Sequence, residues 1–202
     1  MNNMTTHGNQ KDKIITITRH TFLVLSGFSG AGKTTVRGNI LKKIPGSRFS
    51  LSVTTRQSRV DEQDGIDYHF VTKEKFDRMV EKNELLEWEE VHGNYYGTPL
   101  DPVLDAASKP GLLIFDVDVY GGLSIKKQYP EAILVFLKAP DFNELKERLA
   151  NRLTDNPEAI EQRLQRIPKE EKLSKQYDYI IINDILEQTT NEICGIIRNF
   201  QK

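Results

Sequence analysis

The sequence predicts an α/β fold, a parallel sheet inside a three-layer core, on two observations. Four near-continuous apolar runs, Phe22–Leu25, Leu112–Phe115, Ile133–Leu137 and Tyr179–Ile182, are separated by stretches with helical spacing, the pattern of strands buried on both faces. Between the first of these runs and a helical run with Val36, Ile40 and Ile44 four residues apart lies Gly27-Phe28-Ser29-Gly30-Ala31-Gly32-Lys33-Thr34, which reads G-x-x-x-x-G-K-[ST]. Strand, glycine loop, helix is the setting in which that pattern cradles phosphate. The glycines let backbone N–H groups close around phosphate oxygens, and the helix N-terminus adds its partial positive charge. Gly27, Phe28, Ser29, Gly30, Ala31, Gly32, Lys33, Thr34 and Thr35 are therefore the candidates for holding the phosphates of a nucleotide. Lys33 would reach the β- and γ-phosphates, and the Thr34 hydroxyl would bind Mg²⁺.

In chain order, residues 1–20 read as an extension: the first twelve are polar and expected to be disordered, and Lys13 to His20 alternates weakly, as an extra edge strand would. Core segments are expected at 21–50, 103–140 and 173–202. An insertion at 51–102 carries strand-like pieces at Tyr68–Val71, Leu85–Val91 and Asn94–Thr98, with Phe76, Met79 and Val80 at helical spacing among them, so it reads as a small α+β unit. A second insertion at 141–172 is charged and helical; Asn156 is placed to cap a helix opened by Pro157, the favoured first position for proline. The last helix sets Leu186, Ile193, Ile197 and Phe200 on one side, which is core packing.

Composition narrows the function. With 38% hydrophobic and 28% charged residues, the 202-residue chain is that of a globular protein with a sizeable core, and its formal net charge of −1 argues against nucleic acid or membrane surfaces as partners. The one cysteine, Cys194, has no internal disulfide partner and sits in an apolar helical pattern. No apolar run reaches the length of a bilayer span, and Met1 to Gln10 lacks a signal-peptide core, so a cytoplasmic location is expected.

The chemistry of the first insertion starts with two arginines three residues apart, Arg56 and Arg59, among hydroxyl residues. Arginines beside tyrosine hydroxyls suit a monophosphate, because guanidinium groups make paired, charge-assisted bonds to its oxygens. Asp116 and Asp118 close a buried strand, where ligands of open α/β sheets gather, and a carboxylate there can hold Mg²⁺ through water. Alternatively, one of the two caps the following helix.

At these residues the chain closely resembles the guanylate kinase family. The T-T-R-x-x-R motif falls at Thr54 to Arg59, D-Y-x-F-V at Asp67 to Val71, E-W at Glu87-Trp88, N-Y-Y-G at Asn94 to Gly97 and D-x-D at Asp116 to Asp118, in family order from about Thr21 to the C-terminus. The resemblance implies a nucleoside monophosphate kinase of the phosphate-loop class, with segment 51–102 binding GMP and segment 141–172 closing as a lid. It implies transfer of the γ-phosphoryl of ATP to GMP, or its deoxy form dGMP, with Mg²⁺, within purine nucleotide metabolism. Arg56, Arg59, Tyr68 and Tyr96 would hold the GMP phosphate; Ser52, Glu87 and Thr98 would read guanine, with Asp118 at the same edge or organising the metal's waters. Lys33, Arg56, Arg148, Arg152 and Arg163 would stabilise the transferring phosphoryl group, the last three from the lid.

The residues support Glu87 independently. Guanine offers N1–H and the N2 amino group side by side, two donors that one carboxylate accepts together, whereas adenine presents a bare lone pair. A site built on hydrogen bonds rejects the analogue lacking them by roughly 10⁴-fold. The lid arginines that the resemblance implies suit the chemistry, since phosphoryl transfer rests on positioning and charge stabilisation and a closing lid supplies both while excluding water; the alternative is a solvated charged helix face.

Four positions depart from the family pattern: Phe28 stands for proline, Tyr120 for glutamine, Leu153 for glycine, and Pro168 interrupts a helix that is usually alanine-rich. Phe28 is expected to contribute mainly backbone; Tyr120 bears on the acceptor pocket, and Leu153 and Pro168 on lid hinging. The alternatives weighed are a guanylate-kinase-like binding module, disfavoured by the intact Lys33, Thr34 and lid arginines, and a kinase of another nucleoside monophosphate or a sugar phosphate.

Overall fold

The computed structural model describes residues 15–60, 62–91, 93–141, 143–145 and 157–202, the side chains of 157–160 and 162 excepted. Its main sheet has five strands in the order β2 (Arg48–Phe49), β7 (Gly111–Asp116), β1 (His20–Gly27), β8 (Ile133–Lys138) and β9 (Tyr179–Ile182), all parallel. In β1 every residue from Thr21 to Gly27 is buried, and β7 and β8 are nearly as enclosed, which is why both read as unbroken apolar runs. Helices α1 (Lys33–Lys43) and α4 (Val119–Gln128) pack on this sheet, and α6 (Leu186–Phe200) packs against α1. Helix α1 buries Val36 and Ile40, with Ile44 buried at its C-cap, and α6 buries Ile193, Cys194 and Ile197. Three layers result, as predicted.

Two expectations are corrected. β9 is an edge strand: Ile181 is buried, but Tyr179, Ile180 and Ile182 stay 44%, 46% and 58% exposed, so this run is not enclosed on both faces. Residues 15–19 form no strand. Instead Ile15 is buried, and the amides of Thr18 and Arg19 donate to Gln201 Oε1 at 2.9 and 3.4 Å, which fastens this segment to the end of the chain.

The insertion folds around a second sheet, in the order β4 (His69–Phe70), β3 (Val53–Thr54), β6 (Asn94–Pro99) and β5 (Leu85–Val91). β6 runs antiparallel to both β3 and β5, while β4 joins β3 in parallel. Helix α2 (Lys73–Glu81) is capped by the Thr72 side chain, which accepts from Lys75 N at 3.2 Å, and it buries Phe76 against Trp88 and Tyr95. Gly97 lies under this cluster; a Cβ there would sit 2.9 Å from Leu85 and 3.3 Å from Phe76. Helix α3 (Leu100–Ala107) straddles the expected boundary at residue 102 and leads back to the core through β7. Helix α5 (Pro157–Ser174) opens at the expected proline, while its expected cap Asn156 lies outside the described residues. Inside α5, Pro168 lacks an N–H, so the carbonyl of Leu164 loses its helical partner.

Candidate active site

Because the strands of the main sheet are parallel, the ends of β1 and β7 open on one edge, the usual place for a ligand in such a sheet. There a cleft of about 350 Å³ runs between the glycine loop, the second sheet and α5. Gly27 ends β1 at φ 152°, and a Cβ on it would lie 2.3 Å from the Leu137 carbonyl oxygen, so only glycine lets the chain leave the sheet here. Gly32 has φ 87°, and a Cβ would meet Asn183 Nδ2 at 2.4 Å. That same nitrogen donates to the Ala31 carbonyl at 2.8 Å and clamps the loop from β9's side. The first turn of α1 holds no acidic residue, which leaves its amides free of a competing anion.

Lys33 Nζ lies across the loop, donating to Gly27 O at 2.9 Å and Phe28 O at 3.3 Å; Thr34 and Thr35 are exposed beside it. Of the loop residues singled out in the sequence, Phe28 and Ala31 turn their side chains away from the cleft. Phe28 is buried edge-on against Phe136, with ring centroids 5.2 Å apart, so it packs the core as well as supplying backbone.

Across the cleft, Arg56 and Arg59 follow β3 and face each other over Glu62, a residue the sequence reading passed over. Arg56 Nη2 is 2.9 Å from Glu62 Oε1, Arg59 Nη1 is 3.7 Å from the same oxygen, and the Arg59 amide donates to Glu62 Oε2 at 2.9 Å. Burial works against the Arg56 charge, but the Glu62 carboxylate more than compensates and holds its pKa above the usual value. Burial likewise pulls the Glu62 pKa upward, and the Arg56 bond outweighs it to leave Glu62 below the ordinary carboxylate range. The Tyr68 ring stands 5.5 Å from the Arg56 guanidinium and 6.1 Å from Tyr96; burial, with the charge of Asp116 nearby, pushes the Tyr68 hydroxyl up to about 12, so it stays a donor.

At the far end, strand register sets Glu87 on β5 directly opposite Thr98 on β6, and the buried Thr98 hydroxyl donates to Glu87 Oε1. Thr98 stands behind Glu87 rather than on the cleft wall, while the largely buried Ser52 reaches the wall itself. Burial is the main force that pushes the Glu87 carboxyl up to about 7; the Thr98 bond opposes it, and the charges of Asp118 and Glu89 add to it. Gly121 gives Glu87 room, since a Cβ there would be 2.8 Å from Oε2.

Asp116 and Asp118 differ in role. Asp116 Oδ2 is paired at 3.3 Å with Arg37 of α1, another residue missed in the sequence. Asp118 caps α4: its Oδ1 accepts from the amides of Tyr120 at 3.1 Å and Gly121 at 2.9 Å. The capping alternative therefore holds for Asp118, which still faces the cleft through Oδ2. Tyr120 gives its amide to this cap, but its hydroxyl is buried with no hydrogen-bond partner among the described residues, and the ring is not part of the cleft wall. From α5, Arg163 Nη1 donates to Ser29 Oγ at 2.7 Å, and Arg166, which the sequence leaves open between a lid role and a solvated helix face, pairs with Asp118. Arg148, Arg152 and Leu153 lie outside the described residues.

A hard divalent cation on a nucleotide takes oxygen ligands and keeps several waters. The exposed Thr34 hydroxyl, with the Asp116 and Asp118 carboxylates on the same cleft, provides a donor set that fits Mg²⁺.

A phosphate loop after the first strand of a parallel sheet, facing an arginine–tyrosine cluster with a carboxylate–hydroxyl pair beyond it, defines a phosphate-loop kinase. A crystal structure of shikimate kinase from Bacteroides thetaiotaomicron shares the fold alone, with TM-score 0.51 and 17% identity over 88% of this chain and 98% of that one. The guanylate kinase family model matches residues 19–200, and the chain belongs to the guanylate kinase family. It is 46% identical over 176 residues to a guanylate kinase of Helicobacter pylori, covering 87% of this chain and 85% of that protein. To a guanylate kinase of Carboxydothermus hydrogenoformans it is 42% identical over 175 residues, 87% of this chain and 86% of the relative. The crystal structure of guanylate kinase from Anaplasma phagocytophilum superposes with TM-score 0.77 at 30% identity, over 91% and 87% of the two chains.

Proposed function

We propose that the chain transfers the γ-phosphoryl group of ATP to GMP, giving ADP and GDP. One observation carries this reading: the glycine loop with Lys33, the Arg56–Arg59 pair and the Glu87 carboxylate all line one cleft. ATP phosphates lie on the amides of residues 27–35, with Lys33 swinging from the Gly27 carbonyl onto the β- and γ-oxygens. Thr34, with Asp116 and Asp118 through water, would hold Mg²⁺, which would supply neutralisation of charge on those oxygens. Arg56, Arg59, Tyr68 and Tyr96 grip the GMP phosphate, which takes over the place Glu62 holds between the arginines. Glu87, braced by Thr98, accepts guanine N1–H and N2–H, and Ser52 and Asp118 complete that edge.

The GMP phosphate oxygen then faces the γ-phosphorus in line, and rate comes from position and charge rather than a covalent enzyme intermediate. Arg163, already on Ser29, is placed to stabilise the transferring group, and Arg148 and Arg152 are proposed to join it from the same lid. In this reading 21–50, 103–140 and 173–202 form the core, 51–102 the GMP-binding part, 141–172 the lid and 1–20 an extension. A cytoplasmic location goes with the nucleotide substrates, and among the described residues no helix is long and apolar enough to cross a membrane. The test is a coupled ADP-release assay with GMP, dGMP, AMP, CMP and UMP as acceptors. GMP-dependent turnover well above the others is expected; ATP binding with no guanine-dependent ADP release would refute the reading.

A further inference from the structure

Four carboxylates, Glu87, Glu89, Asp118 and Glu170, line one end of the cleft. They come from β5, the cap of α4 and α5, and like charges this close oppose one another in a partly dehydrated space. Asp118 cannot turn away. Its Oδ1 is held by two amides at the start of α4, and its backbone carbonyl accepts from Ser26 Oγ at 3.0 Å. The free oxygen, Oδ2, accepts from Arg166 Nη2 at 3.1 Å, while Arg166 Nε lies 3.3 Å from Glu170 Oε1. The Arg166 side chain is 22% exposed and stands between the two carboxylates; Lys169 toward Glu89 and Lys33 toward Glu170 add more distant positive charge. Three residues earlier on the same helix, Arg163 reaches Ser29 of the phosphate loop. Helix α5 therefore touches the donor end of the cleft through one arginine and the acceptor-base end through another.

We propose that Arg166 is a positioning residue for acceptor selection: it fixes and neutralises Asp118 beside Glu87, so that seating guanine and seating α5 over the phosphates become one event. The inference rests on the GMP phosphotransfer proposed above. Guanine's two donors need an ionised Glu87, and an uncompensated Asp118 would oppose that charge. Arg166 removes the opposition, and does so only when α5 lies against the cleft. ATP would be contacted through Arg163 and the loop rather than through Arg166 itself.

The test is a double-mutant cycle of Arg166→Met and Asp118→Asn, with the KM for GMP and for ATP measured separately by ADP release. Arg166→Met is expected to raise the GMP KM about tenfold, the scale of one charge-assisted bond, and to leave the ATP KM within about twofold. The double variant is expected to be no worse than Asp118→Asn alone. An unchanged GMP KM, an equal rise in both KM values, or additive losses would overturn the proposal. Should Arg166→Met lose its cooperative thermal transition, Arg166→Gln is read in its place by the same criteria. Wild-type protein without guanine-dependent turnover would strike the reaction itself, whereas normal wild-type turnover with an additive cycle would strike only the role of Arg166.

Discussion

Replacing Glu87 by Gln changes one atom at the guanine end of the cleft and leaves the Thr98 hydroxyl in place to donate to the remaining oxygen. The ionised carboxylate offers both oxygens to guanine N1–H and N2–H; the carboxamide turns a donor toward one of them. Each hydrogen bond to a charged group contributes roughly 1.5–3 kcal/mol, so losing one and opposing the other costs on the order of 3–5 kcal/mol, or about 10²- to 10⁴-fold in kcat/KM for GMP. Proton linkage adds a signature. Because burial raises Glu87 from 4.5 to about 7, the free protein keeps the proton until near neutrality while GMP takes the ionised form. Wild-type affinity for GMP should therefore fall by about tenfold per pH unit below that value and level off above it, and the Gln variant should lose this slope. The same shift acts on folding. Holding Glu87 ionised costs the free protein on the order of 3 kcal/mol at high pH, a cost absent at acid pH, so its contribution to stability declines as pH rises from 4.5 to about 7. The assay is ADP release with GMP varied at saturating ATP across this pH range, repeated with ATP varied. A GMP KM within about twofold of wild type, an equal loss for ATP, or an unchanged pH slope in the variant would refute the reasoning.

Lys33→Ala should lower kcat by about 10²- to 10³-fold while the melting temperature barely moves, because among the described residues the lysine hydrogen-bonds only to two loop carbonyls; near-normal turnover would remove Lys33 from the chemistry. Arg59→Ala should raise the GMP KM by about 10- to 100-fold with a smaller effect on kcat, since one of the two guanidinium groups over Glu62 is removed; an unchanged KM would move the phosphate site elsewhere. Gly32→Ala forces a Cβ to within 2.4 Å of Asn183 Nδ2 at φ 87° and should cost about 1–3 kcal/mol, measured as a lower melting temperature together with a higher ATP KM; an unaltered melt would show that the Asn183 clamp yields freely.

What the sequence made legible follows from how local each signal is. β1, β7 and β8 are enclosed on both faces, so their residues are apolar without interruption, and the loop after β1 needs glycine at fixed offsets. β2 at Arg48–Phe49 and β3 at Val53–Thr54 are two residues long, too short to show a period, and only their neighbours, β7 for β2 and β4 and β6 for β3, make them strands. β9 reads as a buried strand because an edge strand can be just as apolar as a central one; what differs is whether anything lies beside it. Phe28 was expected to serve through its backbone because the loop pattern leaves that position free, yet the neighbouring Phe136, far along the chain, gives its ring a place in the core. Within the site, the arginines and Glu87 stood out through short motifs. Glu62, which pairs with Arg56, and Arg37, which pairs with Asp116, did not, since ion pairs made by the fold leave no trace in spacing; the sequence leaves Arg166 open between a lid role and a solvated helix face. Of the two readings Asp118 held in the sequence, the structure shows the cap on Oδ1, while Oδ2 faces the cleft paired with Arg166.

The most direct measurement is a calorimetric titration of the purified protein with ATP and GMP covalently joined through their phosphate chains. One molecule per chain, bound more tightly than either nucleotide and weakened by ATP or by GMP added as competitor, is the predicted result. Binding no tighter than ATP, and indifferent to GMP, would contradict a shared cleft with a donor at one end and a guanine acceptor at the other.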